Sequence, residues 1–504
     1  MNLTEALDRL WQADDDARTV QYRGRWYAWS EIRSLTEQLD NALTAAGCGA
    51  GGRVAVVLGN RPESVAVLIA VLRGGRTLVT LSPLQPPARL AADLAATGVR
   101  YVLAPQQLWD EPAFTEAVAG LGATGWRVDG TEVERRAAGQ SAEPGDGRVA
   151  IEMLTSGTTG PPKRIPLTRR QLEAALAAAT AYGGKSAAAP VPLSGAATIV
   201  PIPIVHIGGM WALITSLANA RPIALLDRFT VEAWHAAVLE HRPVLVGLPP
   251  PAIRAVLEAD LPREDLSSIR AINSGTAPVD PAMVDQFHEK YGIPILIVYG
   301  ATEFSGAVAG WSIKDFRERW GTRHGSVGRA FPGVRLRIVD EDGNELPTGR
   351  TGRLQVSAPQ ASSAADGTEW VTTSDLAHLD ADGFLYIDGR ADDVIVRGGF
   401  KVAPDTVARA LRTHPAVRDA AVVGRPDKRL GQVPVAAVEL RGGATVTGEE
   451  LRAHCRDALT PYEVPTVVHV LDALPRGAAL KVDRQQLISL IEKRERSPES
   501  LAGN

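Results

Sequence analysis

The sequence predicts an α/β protein whose sheets are largely parallel and covered by helices on both faces. Apolar runs of strand length alternate with amphipathic helical stretches from residue 53 to residue 300, a pattern typical of buried parallel strands. Near residue 325 the pattern changes to alternating polar and apolar residues around Asp-Gly turns, which favours antiparallel hairpins. Beyond residue 393, short strands and helices indicate a compact α+β region.

The individual elements follow from these patterns in chain order. A strand is predicted over 53–60, a helix over 62–75 and a strand over 76–82. Further apolar strands are predicted over 100–104, 197–203, 222–227, 243–249, 271–275 and 294–300. Hairpins are predicted over 334–358 and 377–390. In the C-terminal region we predict helices over 405–413, 448–459 and 483–494, and strands over 419–424, 433–440 and 466–471.

Composition excludes several classes of protein. The 504 residues are 45% hydrophobic and 22% charged, which is ordinary for a globular chain. Lys and Arg number 54 against 58 Asp and Glu, so no basic surface for nucleic acid or anionic lipid is expected. Only Cys48 and Cys455 are present, which excludes a disulfide scaffold and a cysteine metal site.

One apolar segment, residues 198–218, is long enough to be considered as a membrane helix. Pro201, Pro203 and the Gly208-Gly209 pair favour instead a buried strand, a turn and a helix. The N-terminal residues carry acids and no apolar signal region. We therefore expect a cytoplasmic protein with neither a membrane nor a nucleic-acid partner.

A G-x-G-x-x-G pattern at residues 47–52 does not predict a dinucleotide site. A helix precedes it and a strand follows, the reverse of the order that a dinucleotide-binding turn requires. We interpret it as a plain loop.

The segment Leu154 to Lys163 is a stronger phosphate-binding candidate. Its hydroxyls, glycines and lysine can wrap a polyphosphate with N–H and O–H donors and one positive charge. The G-x-x-x-x-G-K-[ST] spacing of a Walker A loop is absent. A solvent-exposed turn is the alternative on composition alone. The candidate nucleotide-binding residues are Thr155, Ser156, Gly157, Thr158, Thr159, Gly160 and Lys163.

Four further motifs follow this loop along the chain. They are Tyr299-Gly300-Ala301-Thr302-Glu303, Thr373-Ser374-Asp375, Gly389-Arg390-Ala391-Asp392-Asp393-Val394-Ile395, and Pro475-Arg476 followed by Lys481. Together with the loop, and in this order, they resemble the motifs of the adenylate-forming superfamily. That superfamily includes acyl- and aryl-CoA synthetases, luciferases and nonribosomal-peptide adenylation domains. The resemblance covers residues 20 to 490.

The resemblance implies a particular domain organisation. Residues 1–391 would form a large adenylation domain of two sandwiched α/β subdomains plus a small β-barrel-like subdomain. Residues 392–504 would form a small, mobile α+β domain that swings about a hinge at Asp392 between adenylation and thioester formation. Gly398 and Gly399 would then line the pantetheine tunnel, where glycine permits close approach of a thiol-bearing arm.

The resemblance also assigns the chemistry of the first step. A carboxylate attacks the α-phosphorus of ATP and pyrophosphate leaves, so two anions must approach each other. Mg²⁺ held by Glu303 would neutralise part of this charge, and Lys481 would bond the carboxylate and the α-phosphate. Thr302 would bond the α-phosphate as well.

Adenosine recognition is assigned in the same way. Tyr299, from the motif that continues with Gly300 and Ala301, would lie against the face of adenine. The small residues Gly275, Thr276 and Ala277 would lie along its other side. Asp375 would accept from the ribose hydroxyls, with Arg390 nearby.

The acid and its acceptor are less closely defined. His206, at the end of an apolar strand, resembles the pocket-gating histidine of acyl- and aryl-CoA ligases, although a histidine in such a place is otherwise a core residue. No aspartate lies between Ile199 and Arg221 to hold a substrate ammonium, so we expect a hydrophobic aryl, alicyclic or medium-chain acid.

The lead hypothesis is an acid–CoA ligase that uses ATP, Mg²⁺ and coenzyme A. Transfer to a carrier-protein phosphopantetheine is the alternative, and a degenerate nucleotide- or acyl-binding protein is a third reading. We expect a monomer or a homodimer.

Four residues depart from the family pattern. Arg164 stands where glycine usually follows the loop lysine, and Ser374 replaces the glycine of T-G-D. Arg353 replaces the glutamate of G-E-L, and Leu480 replaces the glycine before Lys481. None removes a chemical group that adenylation needs, but Leu480 could restrict how the lysine loop repositions.

Overall fold

The structure is a computed structural model of the chain. It describes residues 2–140, 145–154, 164–182, 191–361, 369–398, 400–477 and 480–496, with the side chains of 179–182, 401, 495 and 496 excepted.

The first part of the chain folds into strands and α-helices that alternate over residues 53–129, as the sequence predicts. These elements are α1 (Leu3–Asp8), β1 (Arg18–Tyr22), β2 (Arg25–Ala28), α2 (Trp29–Ala45), β3 (Arg53–Val57), α3 (Pro62–Arg73), β4 (Thr77–Leu81), α4 (Pro87–Thr97), β5 (Tyr101–Ala104), α5 (Gln106–Trp109), α6 (Pro112–Gly120), β6 (Thr124–Asp129), β7 (Glu132–Ala137), β8 (Val149–Leu154), β9 (Arg164–Thr168) and α7 (Arg169–Tyr182). The strands over 124–168 follow one another with no helix among the described residues, and no strand after residue 104 in this part was predicted from the sequence.

The second part contains shorter strands and then a run of hairpins. Its elements are β10 (Thr198–Val200), α8 (Ile207–Ala218), β11 (Ile223–Leu225), α9 (Val231–His241), β12 (Leu245–Gly247), α10 (Pro250–Glu258), β13 (Ala271–Ser274), α11 (Pro281–Tyr291), β14 (Ile295–Ala301), β15 (Gly306–Gly310), α12 (Ile313–Arg319), β16 (Ser326–Ala330), β17 (Arg335–Val339), β18 (Gly352–Ser357), β19 (Val371–Leu379) and β20 (Phe384–Arg390).

The C-terminal part has the predicted α+β composition. Its elements are β21 (Ile395–Arg397), β22 (Phe400–Val402), α13 (Pro404–Arg412), β23 (Val417–Asp427), β24 (Gly431–Leu440), α14 (Gly448–Ala458), β25 (Val467–Leu471) and α15 (Arg484–Arg496).

A seven-stranded sheet forms the first subdomain. Its order is β7-β6-β5-β3-β4-β8-β9, with parallel pairs from β6 to β8 and an antiparallel strand at each edge. Helix α3 begins with a proline in its first turn and is buried along almost its whole length, as expected for a helix that is apolar on all sides. The G-x-G-x-x-G segment lies in the loop between α2 and β3, as predicted.

A nine-stranded sheet joins the second subdomain to the predicted hairpin region. Its order is β12-β13-β14-β15-β16-β20-β19-β18-β17, parallel from β12 to β14 and antiparallel from the β14–β15 pair onward. The change to antiparallel pairing therefore begins with β15, earlier than residue 325. The core of this part, here called the second-subdomain core, is the buried cluster that contains Trp234, Phe287 and Trp311.

The two subdomains are connected through strands that the sequence patterns did not predict. Strands β1 and β2 join β10 and β11 in a four-stranded sheet, β10-β11-β1-β2. Asn60 adds a polar link, since its amide donates to the carbonyls of Ile202 (3.1 Å) and Leu226 (2.8 Å). Its Oδ1 accepts from the N–H of Ile204 at 2.8 Å. These bonds join the carboxyl end of β3 to the segment that precedes α8.

The C-terminal part has its own sheet, β22-β21-β24-β23, and β25 pairs in parallel with β24. Separate buried clusters lie on its two faces. The α/β fold class, with a large N-terminal domain and a small C-terminal domain, is confirmed. The boundary and the hinge at Asp392 stay predictions.

The apolar segment over residues 198–218 forms strand β10, a turn and helix α8, as the prolines and glycines predicted. Within the described ranges, no helix is long and apolar enough to span a bilayer.

Candidate active site

A side-chain hydrogen bond joins Tyr299 and Asp375, which come from two strands that are not neighbours in the nine-stranded sheet. Tyr299 lies near the end of β14, and Asp375 lies on β19, where it pairs with Arg390 of β20. The Tyr299 hydroxyl donates to Oδ2 of Asp375 at 2.5 Å. Burial raises the pKa of the Tyr299 phenol, and the neighbouring Asp375 carboxylate raises it further. The phenol therefore stays protonated and orients the carboxylate of Asp375.

Ser374 holds Arg390 beside this pair. Its guanidinium donates to Oγ of Ser374 at 2.5 Å and lies 3.5 Å from Oδ2 of Asp392. The Ser374 hydroxyl, which stands where the resembled family has glycine, thus accepts from the arginine. Arg353 supports the same strand, because it donates to the carbonyl of Thr373 at 3.1 Å.

The backbone is closely packed at the glycines near Tyr299. A Cβ on Gly300 would lie 2.1 Å from the carbonyl oxygen of Gly306, and one on Gly275 would lie 2.9 Å from Val298. Thr276 follows β13 with φ +70°, a left-handed conformation that is rare for a β-branched residue. Because β13 and β14 are parallel neighbours, the segment from Gly275 to Ala277 and the residue Tyr299 lie at the same edge of the sheet.

Thr302 and Glu303 form a single 3-10 turn directly after β14. Buried Phe304 anchors the turn, and the Ser305 N–H donates to the carbonyl of Thr302 at 2.9 Å. Glu303 is exposed. Strand β9 contacts this turn, so one end of the β8–β9 connection lies next to Glu303. The predicted phosphate-loop residues 155–163, which form that connection, lie outside the described residues, as does Gly399.

Lys481 comes from the C-terminal domain into the site of the large domain. Burial lowers the pKa of its ammonium, the charge of Arg390 lowers it further, and Asp375 opposes both effects. By its accessible surface Lys481 is nevertheless exposed to solvent, as expected for a side chain that faces an open cleft.

His206 is the residue before α8 and interacts electrostatically with Lys481. Burial lowers the pKa of the imidazole to about 4, with a further contribution from the charge of Lys481. Its Nε2 atom is buried and has no hydrogen-bond partner among the described residues. The ring is therefore neutral near pH 7.

The structure thus brings together the predicted residues Tyr299, Asp375, Arg390, Lys481 and His206. Gly398 lies in the turn between β21 and β22 with φ +57°, and its N–H donates to the carbonyl of Leu430 at 2.8 Å.

Two partners of the site were not predicted from the sequence. Asp93 on α4 pairs with Arg164 at 2.7 Å, while Arg164 also donates to the carbonyl of Thr80 at 3.0 Å. The side chain that replaces the family's glycine is therefore held against the first sheet. Arg484 on α15 pairs with Asp393. Neither partner lies in a motif, so nothing local in the sequence indicated these contacts.

Comparison with known proteins identifies the class of the chain. Residues 7–364 match the AMP-binding enzyme family, and residues 406–481 match the AMP-binding enzyme C-terminal domain. The chain belongs to this family, and it is an enzyme of the adenylate-forming superfamily, as its five motifs predicted.

Three relatives illustrate the similarity. An indoleacetate–CoA ligase of Aromatoleum aromaticum is 29% identical over 528 aligned residues, which cover 98% of this chain and 99% of the relative. A sulfoacetate–CoA ligase of Cupriavidus necator is 31% identical over 476 residues, with 90% of each chain covered. The solved structure of the amide bond synthetase McbA from Marinactinospora thermotolerans matches with a TM-score of 0.81, 27% identity, and 97% and 99% coverage.

Proposed function

We propose that the chain is an AMP-forming acid–CoA ligase. It activates a hydrophobic carboxylic acid with ATP, releases pyrophosphate, and transfers the acyl group to coenzyme A to give a thioester and AMP. The observation that carries this proposal is the position of Lys481, which interacts electrostatically with His206, Arg390 and Asp375. A cation between an acid pocket and a nucleotide site is what the joining of two anions requires.

The nucleotide end of the site fits a nucleoside. Asp375 is fixed by Tyr299 and keeps acceptor capacity for the two ribose hydroxyls, since an ionised carboxylate has about four lone-pair sites. The glycine backbone of Gly300 and Gly275 permits a planar base to approach closely. Arg390, held by Ser374, adds positive charge beside the phosphates.

The acid end fits an apolar substrate with one carboxylate. His206 is the one titratable side chain in residues 198–218, and its lowered pKa keeps it neutral at pH 7. Lys481 therefore supplies the positive charge for the substrate carboxylate in this part of the site. A second charged group deeper in the pocket would find no partner in that segment, and leaving it unpaired is costly.

Two substitution steps make up the reaction. In the first, a carboxylate oxygen of the acid bonds to the α-phosphorus and the bond to the β-phosphate oxygen breaks, so the electron pair leaves with pyrophosphate. In the second, the thiol sulfur bonds to the acyl carbon, the acyl–oxygen bond breaks with AMP as leaving group, and the thiol proton passes to water. Lys481 is aimed at the charge that develops in the first step.

The described residues also fit a magnesium ion. Glu303 offers one exposed carboxylate next to the start of β9, and no cluster of three or more His, Cys, Asp or Glu occurs in the described part of the chain. This donor set suits an ion held mainly by substrate phosphates. When bound, Mg²⁺ would neutralise charge on those phosphates.

The acceptor is proposed from the relatives, several of which are named CoA ligases. A carrier-protein phosphopantetheine is the alternative acceptor. An amine is included in the test as a further acceptor, because a solved relative is an amide bond synthetase. A cytoplasmic location and a monomeric or homodimeric state stay predictions.

The test is a panel of aryl, alicyclic and medium-chain acids, assayed for pyrophosphate release and for thioester by chromatography with free coenzyme A. Sulfoacetate is the charged comparison, and we expect it to be a poor substrate because its second anion would be unpaired. Pyrophosphate release without thioester, with product formed only when a carrier protein or an amine is added, would show that this compound and not coenzyme A is the acceptor. No acid-dependent pyrophosphate release across the panel would reject the ligase function.

A further inference from the structure

Leu480, the residue before Lys481, adopts a backbone conformation that leucine rarely takes. Its φ is +60°, in the left-handed region where the side chain crowds the following carbonyl. Such a residue persists when its surroundings determine its conformation from several sides. The family has glycine at this position, and glycine adopts the same φ without strain.

The backbone around Leu480 is fixed to the C-terminal domain. The Leu480 N–H donates to the carbonyl of Gly477 at 2.9 Å, and the Gly477 N–H donates to the carbonyl of Lys481 at 2.8 Å. Arg476 donates to the carbonyl of Leu480 at 3.2 Å and pairs with Asp419 of β23 at 2.6 Å. These contacts hold the base of the lysine loop.

The side chain of Leu480 contacts the other domain. It is half-buried and packs against the second-subdomain core of the large domain. One residue thus has a backbone held by the C-terminal domain and a side chain held by the large domain. The next residue in the chain is Lys481, whose ammonium interacts with Arg390 and Asp375.

We propose that Leu480 is a positioning residue, which holds Lys481 in the arrangement for adenylation by joining the lysine loop to the core of the large domain. Since a contact made in one domain arrangement stabilises that arrangement over others, Leu480 favours the first half-reaction over the second. The proposal rests on the proposed two-step function.

The test compares two half-reactions in three variants. Leu480→Ala removes most of the apolar contact, and we expect adenylation, measured as pyrophosphate release, to fall about fivefold, in line with partial burial of a leucine side chain. Conversion of supplied acyl-adenylate to thioester is expected to stay unchanged or to rise. Leu480→Met keeps the apolar contact and is expected to keep both rates within about twofold. Leu480→Gly also removes the strain, and it is expected to lower adenylation as Leu480→Ala does.

A control variant tests whether any interdomain contact would have this effect. Arg418 of β23 pairs with Glu258 of α10 at 2.8 Å, and both side chains are 37% exposed. The pair is bidentate, since Nε of Arg418 also donates to Oε1 of Glu258 at 3.0 Å. Glu258→Gln keeps the side-chain length and one oxygen acceptor for Arg418, and a partly exposed pair contributes little, so we expect this variant to change the ratio of the half-reactions by less than about twofold. Equal falls of both half-reactions in Leu480→Ala, or no fall in adenylation, would overturn the proposal.

A second readout does not need activity. Spin labels on Lys314→Cys and Arg429→Cys, both exposed positions in different domains, report the interdomain distance. The native thiols Cys48 and Cys455 are buried, and burial raises the pKa of each to about 11, so they react slowly near neutral pH. We expect a broader distance distribution in Leu480→Ala than in the parent chain. Identical distributions would overturn the proposal even if the parent chain activates no acid. A broadened distribution in Leu480→Ala, with a parent chain that activates no acid, would reject only the ligase function.

Discussion

His206 combines a buried ring with a nearby cation, and both lower its pKa, to about 4 against an ordinary value of 6.5. This difference corresponds to about 3 kcal/mol against protonating the ring in the folded chain. At pH 6, about one ring in a hundred would carry a proton, whereas an unperturbed histidine would be about three-quarters protonated. Lys481→Met removes the cation and keeps the length of the side chain. Because burial is the larger cause, we expect the pKa of His206 to rise in this variant but to stay below 6.5.

The assay is a pH titration of ¹³C-labelled histidine rings by NMR, with His206→Asn identifying the resonance among the nine histidines. The sign of the stability effect follows from linkage. The unfolded chain binds the proton near pH 6.5 and the folded chain near pH 4, so the contribution to stability is complete above pH 6.5. It is lost as the pH falls from 6.5 towards 4, by about 3 kcal/mol.

Two results would refute this reasoning about His206. Titration of its ring near pH 6.5 in the parent chain would mean that the ring is not buried as the structure has it. An unchanged pKa in Lys481→Met would mean that Lys481 does not approach the acid pocket. The exposed His288, replaced by asparagine, serves as the control for the loss of a histidine at the surface.

Two further predictions concern the backbone and the first sheet. Gly300→Ala is expected to lower adenylation at least about a hundredfold, because its Cβ would lie 2.1 Å from the Gly306 oxygen and displace the end of β14 that carries Tyr299. Gly321→Ala, with open space around it, is the matched control. Equal activity of the two variants would contradict a requirement for close packing at Gly300. Arg164→Gly is expected to lower the free energy of unfolding by about 3 kcal/mol, since it leaves the mostly buried Asp93 unpaired. The double variant with Asp93→Leu is expected to recover part of this lost free energy of unfolding, as measured by thermal denaturation. No recovery would mean that the unpaired Asp93 does not cause the loss.

Much of the fold was predictable because its signals are local. Strands such as β3 and β4 are five residues long, mostly apolar and almost wholly buried, and they flank a helix that begins with proline. Their length and the turn signals between them identify them as strands. The N-terminal strands β1 and β2 were missed, because β1 pairs with β11 about two hundred residues away. Their partner, and therefore their reason for being strands, lies outside any local window.

In the candidate site, too, local features were predictable from the sequence and long-range contacts were not. Tyr299, Asp375 and Lys481 lie in motifs, so the resemblance identified them before any geometry was known. The contacts that place these residues are non-local: Ser374 accepts from Arg390, and Leu480 packs against the other domain. Both residues looked like departures from a pattern in the sequence. Their function in the structure depends on partners that spacing along the chain does not show.

Lys481 is expected to serve the first half-reaction and not the second. The direct measurement compares both half-reactions in Lys481→Ala, with the exposed Lys428→Ala of the same domain as the control. We predict a loss of at least about a hundredfold in acid-dependent pyrophosphate release, with conversion of supplied acyl-adenylate to thioester unchanged within about twofold. Equal losses in both half-reactions, or unchanged pyrophosphate release, would contradict the account.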